Sequence, residues 1–260
     1  MRSVTLDDGP KIEVASIGRN QATTFTGLCA RHDNLLFAPI EKNELSMAEE
    51  EHRFLLAYRA AYRELHATMG SAIKLQGGYL ERVQRGLDPK DCPCPAGLAA
   101  VQRMVVSWEI YRYKSLLDIA YAKRDFSLIT HDVIELDVVR PSVAACALFS
   151  VDDIHVREDV LRIHLNVLPI EPTKTVAMFS YLQSDASHAR AFLDRILRSD
   201  GLYQRYEISR LILNSCENFV LSPVYFDTWS AEKKDVVKAY FIHTLMQSDL
   251  TYESPNLYLF

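Results

Sequence analysis

The sequence predicts an α+β fold in which an N-terminal hairpin and a Cys-His knuckle precede two long helices, an antiparallel sheet of three or four strands and C-terminal helices. Two changes of hydrophobic period support this prediction. Apolar residues recur with a helical period through residues 46–130, alternate at every second position in VLRIHLNVLPI, and return to the helical period after Ser184. We therefore expect one compact unit whose successive parts are residues 1–45, 46–130, 131–184 and 185–260.

The first predicted elements are a hairpin and a long helix. Apolar residues on both sides of an Asp-Asp-Gly-Pro turn in SVTLDDGPKIEVASI predict a short β-hairpin. The long helix is expected to begin near Ser46, because Ser46 and Glu49 are spaced as in a capping box. Gly70 and the Gly77-Gly78 pair predict where it ends.

The second long helix follows the loop RGLDPKDCPCPAG, whose prolines and glycines interrupt the helical period. Apolar residues along one side of this helix predict the face that packs against the first helix. The residues of this predicted buried stripe are Val101, Met104, Val105, Trp108, Tyr111 and Ile119.

The predicted sheet contains strands near residues 143–151, 160–168 and 175–183. Turns rich in Asp, Pro and Thr join these strands, so the simplest pairing is an antiparallel meander. In the middle strand, apolar residues alternate with three polar ones, which predicts an exposed polar row. The members of this row are Arg162, His164 and Asn166.

The C-terminal part is predicted to be helical and to end in an apolar tail. Helical stripes begin near Ala189, Leu202 and Val236. The tail, YESPNLYLF, ends in apolar residues that either dock against the body of the protein or extend into a partner.

Composition excludes several classes of protein. A formal net charge of −5 argues against a non-specific polyanion binder, because such proteins need dense Lys and Arg to neutralise phosphates. No apolar run is long enough for an export signal or a membrane span, so we expect no membrane association. The five scattered cysteines suit a reducing compartment better than a disulfide framework, and we expect a cytosolic protein.

Four residues form a candidate metal site. Cys29 and His32 have the spacing of a zinc knuckle, in which a thiolate and an imidazole at a turn converge on one tetrahedral ion. Cys92 and Cys94 are the only other closely spaced cysteines. Together the four residues would make a Cys3His zinc site, although the Cys-Pro-Cys spacing differs from the usual knuckle.

Three other interpretations of the same segment remain open. In the first, no metal is bound, Asp33 caps the following helix, and Cys29 is shielded from solvent beside Phe25 and Phe37. In the second, His32 and Asp33 are catalytic candidates that bind a divalent metal in a nuclease or another hydrolase. In the third, Cys29 is a nucleophile with His32 as its base, an interpretation weakened because residues so close on one turn often point apart.

Two further clusters contain metal-ligand types. His131 and Asp132 form a second His-Asp pair, and Asp152, Asp153 and His155 lie at the border of a predicted strand. Such residues are common in turns, and turn formation is the favoured interpretation of both clusters.

The segment TFTGLCARHDNLLFAPIE resembles a segment of uncharacterised bacterial proteins with the pattern FxGxCxxHDxxxFxPIE. The order of hairpin, knuckle and helix is also similar to the second half of the ββα zinc finger of HNH-type nucleases. That family has a first knuckle and a catalytic histidine upstream, whereas residues 1–28 contain neither cysteine nor histidine. The matched positions are Phe25, Gly27, Cys29, His32, Asp33, Phe37, Pro39, Ile40 and Glu41.

The expected function is that of a cytosolic bacterial binding or assembly protein with a zinc-knuckle-like N-terminus. The resemblance implies a nucleic-acid or phage-defence setting. A protein partner or a second copy of the chain is an alternative partner. The nuclease alternative requires upstream residues or a partner chain to complete the site, and the third alternative is a metal-free structural protein.

Overall fold

The computed structural model describes residues 14–18, 27–151, 160–217, 219–247 and 252–260. The α+β prediction is confirmed, with helices, sheet and helices in the expected order. The chain divides into two units, one comprising Phe25–His131 and the other containing Asp132–Phe260. The predicted N-terminal hairpin lies outside the described residues, except for its last positions within 14–18, which have no regular secondary structure.

The first unit is helical and consists of α1 (Ala30–Glu41), α2 (Glu50–Gln84) and α3 (Pro95–Lys123). The predicted end of the first long helix is wrong, because α2 continues through Gly70 and the Gly77-Gly78 pair. An internal glycine costs a helix only about 1 kcal/mol, and helix-forming residues surround these three. The predicted capping box does not form either. Helix α2 starts after Glu49, and the Ser46 hydroxyl accepts a hydrogen bond from the Ala48 N–H at 3.2 Å.

Helices α2 and α3 form an antiparallel hairpin. The Tyr58 hydroxyl near the start of α2 donates a hydrogen bond to Asp118 near the end of α3, while Tyr79 near the end of α2 lies against Gly97 at the start of α3. Lys114 pairs with Asp118 at 2.9 Å, and burial raises the pKa of the Tyr58 hydroxyl, with the Asp118 carboxylate acting in the same direction. This polar contact fixes the register of the two helices.

The face of α3 that packs against α2 differs from the predicted one. The residues of the predicted buried stripe are exposed or only partly covered, and the opposite side of the helix is buried. The prediction failed because α3 is apolar on two sides, and a helical period cannot show which apolar side meets the neighbouring helix. The buried residues of α3 are Ala100, Ser107, Ile110, Tyr113, Leu117 and Ala120.

The second unit contains a five-stranded antiparallel sheet. Its strands are β1 (Ile129–Asp137), β2 (Val143–Val151), β3 (Leu161–Glu171), β4 (Lys174–Leu182) and β5 (Phe219–Leu221), in the spatial order β1-β4-β3-β2-β5. The three predicted strands correspond closely to β2, β3 and β4. The two edge strands raise the strand number above the predicted three or four.

The remaining helices are α4 (Ala186–Leu197), α5 (Gly201–Ser215), α6 (Pro223–Phe226) and α7 (Ala231–Gln247). They share a core with the sheet residues Ile163, Leu165 and Phe179, all fully buried. No helix among the described residues combines the length and apolar character needed to cross a bilayer.

The predicted exposed polar row on β3 is wrong. His164 and Asn166 are buried, and His164 lies opposite Ser180 of β4 and Leu148 of β2. Arg162 is half-buried. The central strands of this sheet are buried on both faces. The alternation along β3 therefore distinguishes two faces that are both buried, instead of one buried and one solvent-exposed face.

The C-terminal tail docks against the second unit. Leu257 and Leu259 are fully buried among α5, α7 and the sheet. Main-chain groups of the tail are hydrogen-bonded to side chains of the helices, including the Leu259 N–H to the Ser209 hydroxyl at 2.9 Å. Of the two alternatives that the sequence left open, docking is the one the structure adopts.

Candidate functional site

The thiol and the imidazole of the predicted knuckle converge. Cys29 is the N-terminal cap residue of α1, and its Sγ lies 3.1 Å from Nδ1 of His32 one turn later. Both side chains are exposed. The expectation that Cys29 is shielded from solvent is therefore wrong, and the objection that the two groups point apart does not apply.

Other residues of the same segment attach α1 to α2. The buried Phe37 ring lies 6.4 Å from the Tyr58 ring, and the Arg59 guanidinium lies over Phe37 at 5.3 Å. Arg59 also pairs with Glu41 at 2.9 Å. Phe37 and Glu41, two positions of the resembling pattern, thus have a structural role: they attach the helix that carries Cys29 and His32 to α2.

The second predicted ligand pair is divided between two environments. Cys94 is buried and caps α3, where its Sγ accepts a hydrogen bond from the Gly97 N–H at 3.4 Å. Cys92 is exposed in the preceding loop. Within the described ranges, no group of three or more His, Cys, Asp or Glu side chains is placed to hold a metal ion. The four-ligand zinc site stays a prediction.

The Cys29-His32 pair could perform two kinds of chemistry. Two donor atoms about 3 Å apart can occupy one edge of a tetrahedral metal site. Alternatively, the imidazole can take the thiol proton and leave a nucleophilic thiolate. Asp33 lies in the first turn of α1, and in the described part of the chain its carboxylate makes no hydrogen bond to His32. An orienting carboxylate of the kind found in catalytic triads is therefore not supplied by Asp33.

The second His-Asp pair is part of a structural network. The Asp132 carboxylate accepts a hydrogen bond from the Tyr181 hydroxyl and pairs with Arg190 at 3.0 Å. Burial raises the pKa of Tyr181 to about 12, and the hydrogen bond to Asp132 acts in the same direction. These contacts join β1, β4 and α4. The cluster Asp152, Asp153 and His155 lies outside the described residues.

The side of α3 that faces away from α2 is apolar and exposed. Trp108 at its centre has 59% of its surface accessible. We call this surface the α3 outer face, and its residues are Leu98, Val101, Val105, Trp108, Leu116 and Ile119, all exposed. Met104 and Tyr111 flank it and are also exposed. Exposed apolar surfaces of this extent mark interaction sites in soluble proteins.

The apolar residues of this face are visible in the sequence, where their spacing predicted a buried stripe. Helix α3 has a second, independent set of apolar positions that includes Ile110, Tyr113 and Leu117. Helix α3 therefore has two apolar stripes, of which one packs against α2 and the other is exposed.

Comparison with known proteins gives no assignment: no family model, no curated protein and no solved structure matches this chain.

Proposed function

We propose that this chain is a binding or assembly protein that associates with a second copy of itself through the α3 outer face. The observation that carries the proposal is the row of exposed apolar side chains along a helix of 29 residues. Burial of this row against a partner would be driven by the hydrophobic effect, as in a domain core.

The size of the face suits a stable dimer. The residues of the face keep between 44% and 60% of their surface accessible. At roughly 100 Å² of accessible area for each half-exposed large side chain, the face with its two flanking residues offers on the order of 800 Å². This area is about what one partner contributes to a standard protein–protein interface.

The arrangement of the face favours a second copy of the same chain as the partner. Leu98 and Val101 lie before Trp108, and Leu116 and Ile119 lie after it at nearly matching spacings. Two such helices crossing antiparallel near Trp108 would place Leu98 near Ile119 and Val101 near Leu116 of the other copy. Self-complementarity of this kind is what a two-fold symmetric interface requires.

The experiment is sedimentation equilibrium of the full chain over a micromolar concentration series. We expect a concentration-dependent dimer for the unaltered chain. The double variant Val105→Asp, Trp108→Asp should weaken association by at least roughly 30-fold, because each substitution puts a charge into the centre of the interface.

A control is Val224→Asp, which makes the same valine-to-aspartate change as in the double variant at an exposed valine of α6 in the other unit. This control should associate like the unaltered chain. A chain that sediments as a monomer throughout the series, or a control that dissociates as fully as the double variant, would contradict the proposal.

A second candidate function is a zinc-binding knuckle at the start of α1, supported by the 3.1 Å separation of Cys29 Sγ and His32 Nδ1. Two ligand atoms of a tetrahedral zinc ion lie about 3.5 Å apart, so a small adjustment would accommodate the metal. If zinc binds there, metal analysis of the purified chain should find it. Cys29→Ser should then remove the zinc and lower the thermal midpoint, since metal binding is coupled to folding.

The variant Cys92→Ser separates two forms of this zinc hypothesis. It removes zinc if all four predicted ligands are used, and it leaves zinc bound if the site depends on Cys29 and His32 without Cys92. Absence of zinc from the unaltered chain, even after incubation with the metal, would rule out both forms.

The cytosolic bacterial setting, the nucleic-acid partner, the phage-defence role and the nuclease alternative all stay predictions from the sequence and its resemblance. The assembly proposal does not depend on any of them.

A further inference from the structure

A cleft of about 300 Å³ lies in the second unit, between the β1–β2 connection, α5, α6 and the C-terminal tail. Its volume is at the lower end of the range of small-molecule sites. The apolar wall includes Val138 and Phe260. The polar side chains that line the cleft are Arg140, Ser142, Arg205, Tyr225 and Thr228.

Two arginines give the cleft a positive charge. Arg205 is half-buried, and its guanidinium donates a hydrogen bond to the Asp137 carbonyl oxygen, which holds the side chain beside the cleft. Arg140 is exposed at the rim. In the part of the chain that the structure describes, neither guanidinium forms an ion pair with a carboxylate. Two guanidinium groups that are not paired with a carboxylate can bind an anion in the cleft.

Ser142 points to a ligand independently of the arginines. Only 2% of its surface is accessible, and its hydroxyl oxygen has no hydrogen-bond partner among the described residues. Its main chain is fixed, because its carbonyl oxygen accepts a hydrogen bond from the Ser222 N–H at 2.8 Å. A buried hydroxyl without a partner destabilises the folded state, so such groups in native proteins normally bond to a water, an ion or a ligand.

The two remaining polar side chains of the cleft, Thr228 and Tyr225, are already hydrogen-bonded within the protein. The Thr228 hydroxyl donates a hydrogen bond to the Tyr225 carbonyl oxygen at 2.6 Å. The Tyr225 hydroxyl donates a hydrogen bond to the main-chain oxygen of Phe260 at 2.9 Å, which attaches the tail to α6 on one side of the cleft. The aromatic rings of Tyr225 and Phe260 are left to contact an apolar part of a ligand. A ligand that satisfies the whole cleft is therefore negatively charged at one end and apolar at the other.

We propose that this cleft binds a small organic anion, a carboxylate or a phosphate monoester on an apolar body, with Arg140 and Arg205 on the anionic group and the Ser142 hydroxyl as an additional donor. The site is separate from the α3 outer face, because all its residues belong to the second unit.

The test is titration calorimetry of the full chain with benzoate, phenyl phosphate, inorganic phosphate and benzyl alcohol. We expect benzoate or phenyl phosphate to bind at least about tenfold more tightly than both inorganic phosphate, which lacks the apolar body, and benzyl alcohol, which lacks the charge. The tighter of the two organic anions identifies the anionic group that the cleft prefers.

Variants assign the binding to the cleft. Arg140→Gln, at an exposed position that should leave folding unchanged, is expected to weaken the tighter anion by roughly tenfold or more, and Ser142→Ala by a smaller factor. The matched control is Arg198→Gln, an exposed arginine at the end of α4. No binding of either organic anion, equal binding of benzyl alcohol, or equal weakening by Arg198→Gln would overturn the proposal.

Discussion

Replacing Leu259 by alanine should lower the free energy of unfolding of the second unit by about 2–5 kcal/mol, the usual cost of truncating a buried leucine. The side chain is fully buried in the core that joins the sheet to α5 and α7. The same change at Leu257 should have a similar effect. Urea unfolding followed by circular dichroism measures both.

This large loss of unfolding free energy is expected although both leucines lie in a C-terminal tail, because the tail is hydrogen-bonded to the helices as well as packed against them. Tyr206 donates a hydrogen bond to the Ser254 carbonyl oxygen at 2.9 Å, and the Ser209 hydroxyl accepts one from the Leu259 N–H. Shrinking Leu259 leaves a cavity that this anchored backbone cannot readily close.

The matched control for the tail leucines is Leu202→Ala. Leu202 belongs to α5 and is 69% accessible, so its truncation should change the free energy of unfolding by less than about 0.5 kcal/mol. A loss at Leu259 as small as the loss at Leu202 would show that the tail is not part of the core.

Truncating either of two adjacent leucines on α3 should affect a different property, the stability of the chain in one case and its association in the other. Leu117 is fully buried against α2, whereas Leu116 is on the α3 outer face and 44% accessible. We expect Leu117→Ala to lower the free energy of unfolding by about 2–5 kcal/mol. Leu116→Ala should leave the stability of the separated chain nearly unchanged and weaken dimer formation.

Denaturant unfolding at a concentration where the chain is monomeric measures the first effect, and sedimentation equilibrium measures the second. The two variants are controls for each other, because they remove the same atoms from neighbouring positions of one helix. If Leu116→Ala destabilised the monomer as much as Leu117→Ala, the outer face would be part of the core of the single chain. If it left association unchanged, this part of the α3 outer face would not be an interface.

The candidate site shows what residue spacing can predict and what it cannot. The spacing of Cys29 and His32 correctly indicated that their side chains share one end of a helix, since residues one turn apart lie on the same face. It could not indicate whether Cys92 and Cys94 approach them, because that depends on packing between segments distant in sequence. Cys94 instead caps α3.

Other functional candidates had no signal in the sequence at all. Arg140, Ser142 and Arg205 come from a loop, a strand border and a helix, and no motif connects them. Their common cleft exists because the strand connection, α5 and the docked tail meet in the folded unit.

The sequence by itself determined the kind and the order of the elements, including the strands β2, β3 and β4 and the helices α3, α5 and α7. These follow from local periodicity and turn residues, which act over a few neighbouring positions. Only the tertiary structure decided that His164 is buried, that the predicted core stripe of α3 is exposed and that the tail docks. A period shows that an element has distinct faces, but what each face contacts depends on residues far away in the chain.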